Sequence, residues 1–333
     1  MRRRARLGGV AVSPVLLRAV SLDRSRRVAG RALSRPRRGR AGSDAHGRRG
    51  EAVSGAPRID PRALVHPEAA LAEDVEVGPF TVIEAGVAVG AGSRIGAQSY
   101  LCRGTVLGRE NVVHMGVALG NEPQDLSYRG APTGLVVGDR NVFREGCTVH
   151  RGTAEGSTTK IGSDCFFMSN THVAHNCDVA DGVVMASGAL LGGYVHVGER
   201  AFLSGNAVVH QHTRVGRLAI LQGVAAISSD LPPFLIGAGI NTVRGVNLVG
   251  LRRAGFDRTR IAAVRRAYRT LFFGRPNLGR ARESFASTLA AEGGPTADVA
   301  ELLAFLAEGR RFCSAAPIAR ASRTGDGTPD EGE

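Results

Sequence analysis

The chain has 333 residues, room for one large domain and a smaller one. Its 45 glycines and complete lack of tryptophan suit a thin-walled repeat better than a tightly packed globule. The net charge of +13 invites a nucleic-acid reading, but residues 1–58 hold 16 arginines against Asp23, Asp44 and Glu51. The remaining 27 basic and 27 acidic residues cancel, so the body offers no electrostatic footprint for DNA or RNA.

Residues 1–58 are expected to form a disordered Arg-rich extension. Gly, Ser and Pro interrupt it and no apolar period persists. A transit peptide, a solvated arm and an unstructured start-site extension all fit its composition.

From Ile59 the chain becomes periodic. Stepping by six gives Ile59, Val65, Leu71, Val77, Ile83 and so on to Ile227, and 26 of the 29 positions in this frame are large and apolar. The exceptions are Asp125, Ala131 and Glu155. A six-residue period matches neither an α-helix nor simple strand alternation. It fits a short strand followed by a corner, three to a coil, so residues 59–233 are expected to wind as a hexapeptide-repeat parallel β-helix of about nine coils and roughly 40 Å. The residue after each apolar position is often Gly, as at Gly78, Gly90, Gly108 and Gly138, and positive φ at the corner is the expected reason. The residue two before it is small, as at Ser93, Asn111, Cys147, Cys165, Cys177 and Ala189, and is expected inside a tight corner. That reading makes three of the five cysteines packing residues and not ligands. Five scattered cysteines without a CxxC pair also indicate reduced thiols and a cytoplasmic setting.

Two turn-rich stretches, 120–136 and 151–160, break the frame and are expected to loop out. With both extruded, counting rungs by threes puts Leu119, Val149, Val173, Leu191 and Val209 on one face. His150, His172, His175, Gly193 with Tyr194, and His210 then line up beside those rungs. Neutral imidazole serves as a general base near pH 7 and also binds zinc, so the strip leaves both chemistries open.

After Asp230-Leu-Pro-Pro233 the frame stops, and residues 234–315 are expected to form an α-helical domain. Asp257 is placed to cap a helix carrying Ile261, Val264, Tyr268 and Leu271, with further helices over 281–292 and 297–311 beyond Pro276. Arg252, Arg253, Arg258, Arg260, Arg265, Arg266 and Arg269 make a basic surface, either a solvated face or a dock for an acidic partner. Residues 316–333 are expected to be a disordered tail. No apolar run reaches the length of about 18 residues that a membrane span requires.

Six segments carry a resemblance: Pro123-Gln-Asp-Leu126, Val149-His-Arg-Gly-Thr153, His172-Val-Ala-His-Asn-Cys177, Val209-His-Gln211, Asp230-Leu-Pro-Pro233 and Gly245-Val-Asn-Leu-Val-Gly-Leu-Arg-Arg253. Together they resemble the UDP-N-acetylglucosamine O-acyltransferases, over about Ile59 to Phe273. The resemblance implies a left-handed coil, a homotrimer and no cofactor. It implies transfer of a 3-hydroxyacyl chain from acyl carrier protein to the 3-hydroxyl of UDP-N-acetylglucosamine in lipid A biosynthesis. By the same resemblance His175 is the general base and Gly193 offers its N–H to the thioester oxygen. Gln124, Asp125, His150, His172, Asn176, Tyr194 and His210 line the substrate site, Asn176 and Tyr194 beside the base. Asn247 and Arg253 contact the nucleotide, and Ile220 and Gly223 measure acyl length.

The chain departs from the family pattern at four points. Asn176 stands where Asp is usual, Tyr194 replaces a histidine, Val249 an acidic residue and Ala254 an arginine. An amide orients an imidazole but lends its cation no charge. These departures keep a diverged, non-catalytic trimeric scaffold among the readings. Two other hexapeptide-repeat enzymes also remain: a sugar N-acyltransferase, which normally has a further N-terminal domain, and a zinc γ-carbonic anhydrase.

Overall fold

The computed structural model describes residues 55–273, 277–309 and 311–315. Most of the Arg-rich extension, Pro276 and the tail 316–333 lie outside the described residues.

Between Arg58 and Ile227 the chain forms 26 strands of two to four residues each. They sort into three parallel sheets by taking every third strand, so each sheet is one face of a triangular prism. The first face begins with Arg58–Ile59, the second with Leu64–Val65 and the third with Ala70–Leu71. The molecule is mainly β, a left-handed parallel β-helix followed by C-terminal helices.

Successive coils are joined by backbone hydrogen bonds, for example Arg94 N–H to Asn111 C=O at 2.8 Å and Gly96 N–H to Val113 C=O at 2.7 Å. The frame residues point inward: Ile83, Leu101, Leu119, Phe143, Phe167, Met185, Leu203 and Leu221 are fully buried. The small residues two positions earlier are buried with them, including Ser93, Asn111, Cys147, Cys165 and Cys177. Burial pushes the Cys165 thiol up to about 11 and the Cys147 and Cys177 thiols up to about 12, so these sulfurs are inert packing groups.

The structure corrects the reason for the glycines. Positive φ falls three residues after most inward residues, often on a side-chain-bearing residue: Asp74, Phe80, Gln98, Glu110, Asn170, Asn176, Tyr194 and His212 all adopt it. The glycines directly after the frame residue serve the stacking instead. A Cβ on Gly138 would lie 2.7 Å from Gly162 C=O, and one on Gly108 would lie 2.6 Å from Gly138 C=O. Only a hydrogen fits between coils there.

The two loops are shorter than expected. Gly134–Val137 and Thr158–Ile161 are both strands, paired from Gly134↔Thr158 to Val137↔Ile161. Their inward positions are Leu135 and Val137, and Thr159 and Ile161: Val137 and Ile161 keep the frame read from sequence, and Leu135 and Thr159 fall in the column two before it. The loops proper are residues 122–133 and 151–157.

The boundary at 233 also moves. Leu235–Ala238 extends the first face by pairing Ile236 with Ile220, and Thr242–Val246 returns antiparallel to it. Pro232 and Pro233 break the six-residue frame, and stacking then resumes out of phase, which hid these strands. Four helices follow: Leu248–Arg253, Arg258–Phe272, Leu278–Ala291 and Ala297–Glu308. Asp257 caps the second, accepting from Arg260 N–H. Val264, Tyr268 and Leu271 are buried as their spacing indicated. Two arginines of the basic surface are already paired, Arg260 with Asp298 at 2.8 Å and Arg266 with Glu292 at 2.7 Å. Among the described residues, no helix is long and apolar enough to cross a membrane.

Replacing Gly138 by Ala is expected to cost about 1–3 kcal/mol, because a methyl group must displace backbone in the next coil. Gly245→Ala, where a Cβ meets nothing within 4 Å, should stay within about 0.5 kcal/mol. Urea midpoints of the two variants check this.

Candidate functional site

The strip counted from sequence exists. Leu119, Val149, Val173, Leu191 and Val209 pair in that order along the second face. His150 and His172 meet edge to face with ring centroids 4.8 Å apart, and Thr148 Oγ1 lies 2.8 Å from His172 Nδ1. At the corner after His172, the His175 ring lies against Gly193 of the next coil. A Cβ on Gly193 would come within 2.6 Å of His175 Nε2, so only glycine allows this ring position. Gly193 is buried, and its N–H makes no hydrogen bond among the described residues. His210 sits exposed on the next coil, with Nδ1 3.2 Å from Gln211 C=O.

His175 is nearly buried, with its Nδ1 3.0 Å from Asn176 Oδ1. On its other side Nε2 is 4.0 Å from Asp125 Oδ2, delivered by the first loop. The Ser127 hydroxyl and N–H hold the Asp125 carboxyl below its ordinary value. Gln124 beside it is exposed.

The two loops are stitched together at their bases. Arg151 N–H bonds Asn121 C=O at 3.0 Å and Gly156 N–H bonds Pro132 C=O at 2.9 Å. The buried Arg151 guanidinium reaches Gly120 C=O, the Glu122 carboxylate and the Tyr128 hydroxyl at 3.0–3.2 Å. In the sequence Arg151 and Thr153 stand out only as members of the segment Val149–Thr153, and His212 carries no mark. Thr153 donates to Asn176 Oδ1 from its N–H at 3.1 Å and its hydroxyl at 2.9 Å. Its Oγ1 is 2.9 Å from the Tyr194 hydroxyl. His212 stacks on Tyr194 at 4.8 Å. Asn176, Tyr194 and His212 lie 18 residues apart at equivalent corners with φ of 59°, 60° and 62°. Counting corners by eighteen, as rungs were counted, finds that column.

Four residues carried over by resemblance lie apart from this cluster within one chain. The Asn247 side chain is buried and committed: Oδ1 caps the helix Leu248–Arg253 through Gly250 N–H, and Nδ2 bonds Leu218 C=O, both at 2.8 Å. The Asn247 side chain thus caps that helix and ties it to the coil bearing Leu218. Arg253 is exposed on that helix. Ile220 points outward from the first face, and Gly223 is exposed at the corner that follows. Among the described residues, no group of three His, Cys, Asp or Glu converges closely enough to hold a metal ion.

Burial first, then the neighbouring His172, His175 and Arg151, push His150 down to about 4. Burial and His175 push His172 down as well. The strip thus holds these rings neutral. An unfolded histidine titrates near 6.5, so below that pH the unfolded chain takes up protons that folded His150 refuses. Stability is expected to fall as pH drops from 6.5 towards 4, by about 2 kcal/mol at pH 5 relative to pH 7 from His150. Urea unfolding at both pH values should show that loss, and His150→Gln should reduce it.

The profile described as Udp N-acetylglucosamine O-acyltransferase, Domain 2, matches residues 230–313. The bacterial transferase hexapeptide profile matches residues 158–193. Curated relatives are named acyl-[acyl-carrier-protein]–UDP-N-acetylglucosamine O-acyltransferase. One from Stenotrophomonas maltophilia is 42% identical over 231 residues, covering 68% of this chain and 88% of the relative. One from Halorhodospira halophila is 42% identical over 256 residues, covering 76% and 98%. Among solved structures, the Francisella novicida UDP-N-acetylglucosamine acyltransferase aligns with a TM-score of 0.73 at 29% identity, over 78% of this chain and 94% of that one. The Arabidopsis enzyme aligns at 0.66 and 29%, over 77% and 100%. On these grounds the chain belongs to the acyl-[acyl-carrier-protein]–UDP-N-acetylglucosamine O-acyltransferase family.

Proposed function

We propose that this protein moves a 3-hydroxyacyl chain from acyl carrier protein to the 3-hydroxyl of UDP-N-acetylglucosamine, in the cytoplasm, as a step of lipid A biosynthesis. The observation that carries the assignment of roles is the geometry of His175. Its Nδ1 is held by Asn176 Oδ1, its ring is flattened on Gly193, and its Nε2 faces the loop that bears Asp125.

With Nδ1 protonated, Nε2 carries the lone pair and takes the proton of the sugar 3-hydroxyl. The oxygen attacks the thioester carbon, and the tetrahedral oxyanion that forms is met by the Gly193 N–H. Collapse breaks the C–S bond. The imidazolium returns its proton to the departing thiolate of the carrier's arm, which leaves as a thiol. Near-neutral surroundings suit this cycle: His150 is pushed down to about 4 and stays uncharged, so it adds no repulsion when His175 becomes cationic. His172, His210, Gln124, Asp125 and Arg253 line the approach for sugar, acyl chain and nucleotide.

The active assembly is a homotrimer. Seven consecutive outward residues on the first face are apolar: Val112, Val142, Phe166, Val184, Phe202, Ile220 and Ile236. On the third face the matching residues run Val136, Lys160, Asp178, His196 and Arg214, of which only the first is apolar. The second face, which carries the histidine strip, exposes Leu190 and Val208. Packing one chain's first face beside another's second face covers both apolar stripes. It also brings Ile220, the acyl-length residue, towards a neighbour's His175.

His175→Ala is expected to lower kcat by about 10²–10⁴ with the trimer intact. The measurement is transfer from 3-hydroxyacyl carrier protein to UDP-N-acetylglucosamine. A parent protein inactive on every UDP-amino sugar tried would sink the assignment. Phe202→Glu should dissociate the trimer in sedimentation experiments and abolish transfer with it.

A further inference from the structure

We propose that Tyr194 and Thr153 are positioning residues that fix the tautomer of His175 through Asn176. The inference rests on His175 being the base of the transfer.

Thr153 N–H can only donate, and it points at Asn176 Oδ1 over 3.1 Å. That sets the orientation of the amide, with its oxygen towards Thr153. The Thr153 hydroxyl, 2.9 Å from the same oxygen, must then donate as well. A hydroxyl has one hydrogen, and this one is now used. The Tyr194 hydroxyl, 2.9 Å from Thr153 Oγ1, is therefore the donor of that pair. His175 Nδ1, 3.0 Å from the same amide oxygen, must carry a hydrogen to bond it. Nε2 is left with the lone pair. One chain of donors runs from Tyr194 through Thr153 to Asn176, and the imidazole is held by its end.

The tyrosine is fixed for this task. Its ring stacks on His212 at 4.8 Å and stands perpendicular to His175 at 5.3 Å. Its N–H bonds His175 C=O at 3.0 Å, which ties the two corners together. Asn176 is held from its own backbone too, its N–H meeting Thr159 Oγ1 at 2.8 Å. Two departures from the family pattern, Asn176 and Tyr194, thus lie in one network. A neutral amide orients the ring less firmly than a carboxylate, since hydrogen bonds to charged groups are about twice as strong. Donors polarising its oxygen hold it in place. Tyr194 supplies what a histidine at that corner would have to supply with a differently placed nitrogen.

The test uses the full trimeric protein, labelled with ¹⁵N in histidine, and the imidazole shifts of His175, assigned by comparison with His175→Gln. In Tyr194→Phe the Nδ1–H fraction should fall and kcat should drop about fivefold, the effect of losing one hydrogen bond, with the KM for UDP-N-acetylglucosamine unchanged. Thr153→Val should lower both further, and Thr153→Ser should restore both to within about twofold of the parent. Parent-like tautomer and kcat in folded Tyr194→Phe would overturn the proposal. So would Thr153→Ser behaving like Thr153→Val with an unchanged melting curve. Failure of the catalytic assignment looks different: His175→Ala then retains transfer, while the tautomer shifts still judge the donor chain on their own.

Discussion

Everything in this molecule answers to the spacing between coils. Each backbone N–H of one coil must meet a C=O of the next at hydrogen-bonding distance, which fixes the rise at about 4.8 Å per eighteen residues. At that separation the corner glycines have no room for a methyl group. Inside the triangle the large frame residues alternate with mostly smaller ones, Ser, Asn, Cys, Ala and Val. Added residues cannot stay in the wall and are expelled as loops. The histidine strip is a product of the same rule, because residues on successive coils are brought within contact of one another wherever they fall at the same step.

That rule explains why so much was legible in the sequence. A six-residue period marks inward positions directly, so the core rungs and the strip could both be counted, and the helix capped by Asp257 could be read from local chemistry. Three features could not. Positive φ at Tyr194 or His212 has no marker, because the tight turn forces it on residues that would not choose it. Strands Leu235–Ala238 and Thr242–Val246 are out of phase with the repeat after two prolines, and an antiparallel return has no six-residue signature. The commitment of Asn247 to capping depends on Leu218, 29 residues away, which no local pattern reveals.

The chemistry of the strip is that of neutral groups placed close together. His150 and His172 are desolvated, and His175 beside them lowers the charging of both. Beside them Asp125 is held ionised by Ser127, on a loop that Arg151 anchors from below. His175 is therefore set between an uncharged floor and a negative overhang. Orientation comes from hydrogen bonds to an amide oxygen, with the nearest carboxylate 4.0 Å away on the opposite side of the ring.

The equivalence of successive coils has an evolutionary consequence. Because corner columns recur every eighteen residues, gain or loss of one whole coil leaves the hydrogen-bond ladder, the glycine column and the three-sided core intact. Such a change would alter the axial distance between the histidine strip and the helical end of the chain by one fixed increment, without a new fold. A prism of this kind lengthens or shortens in whole steps, while a point substitution along a face changes only its local relief.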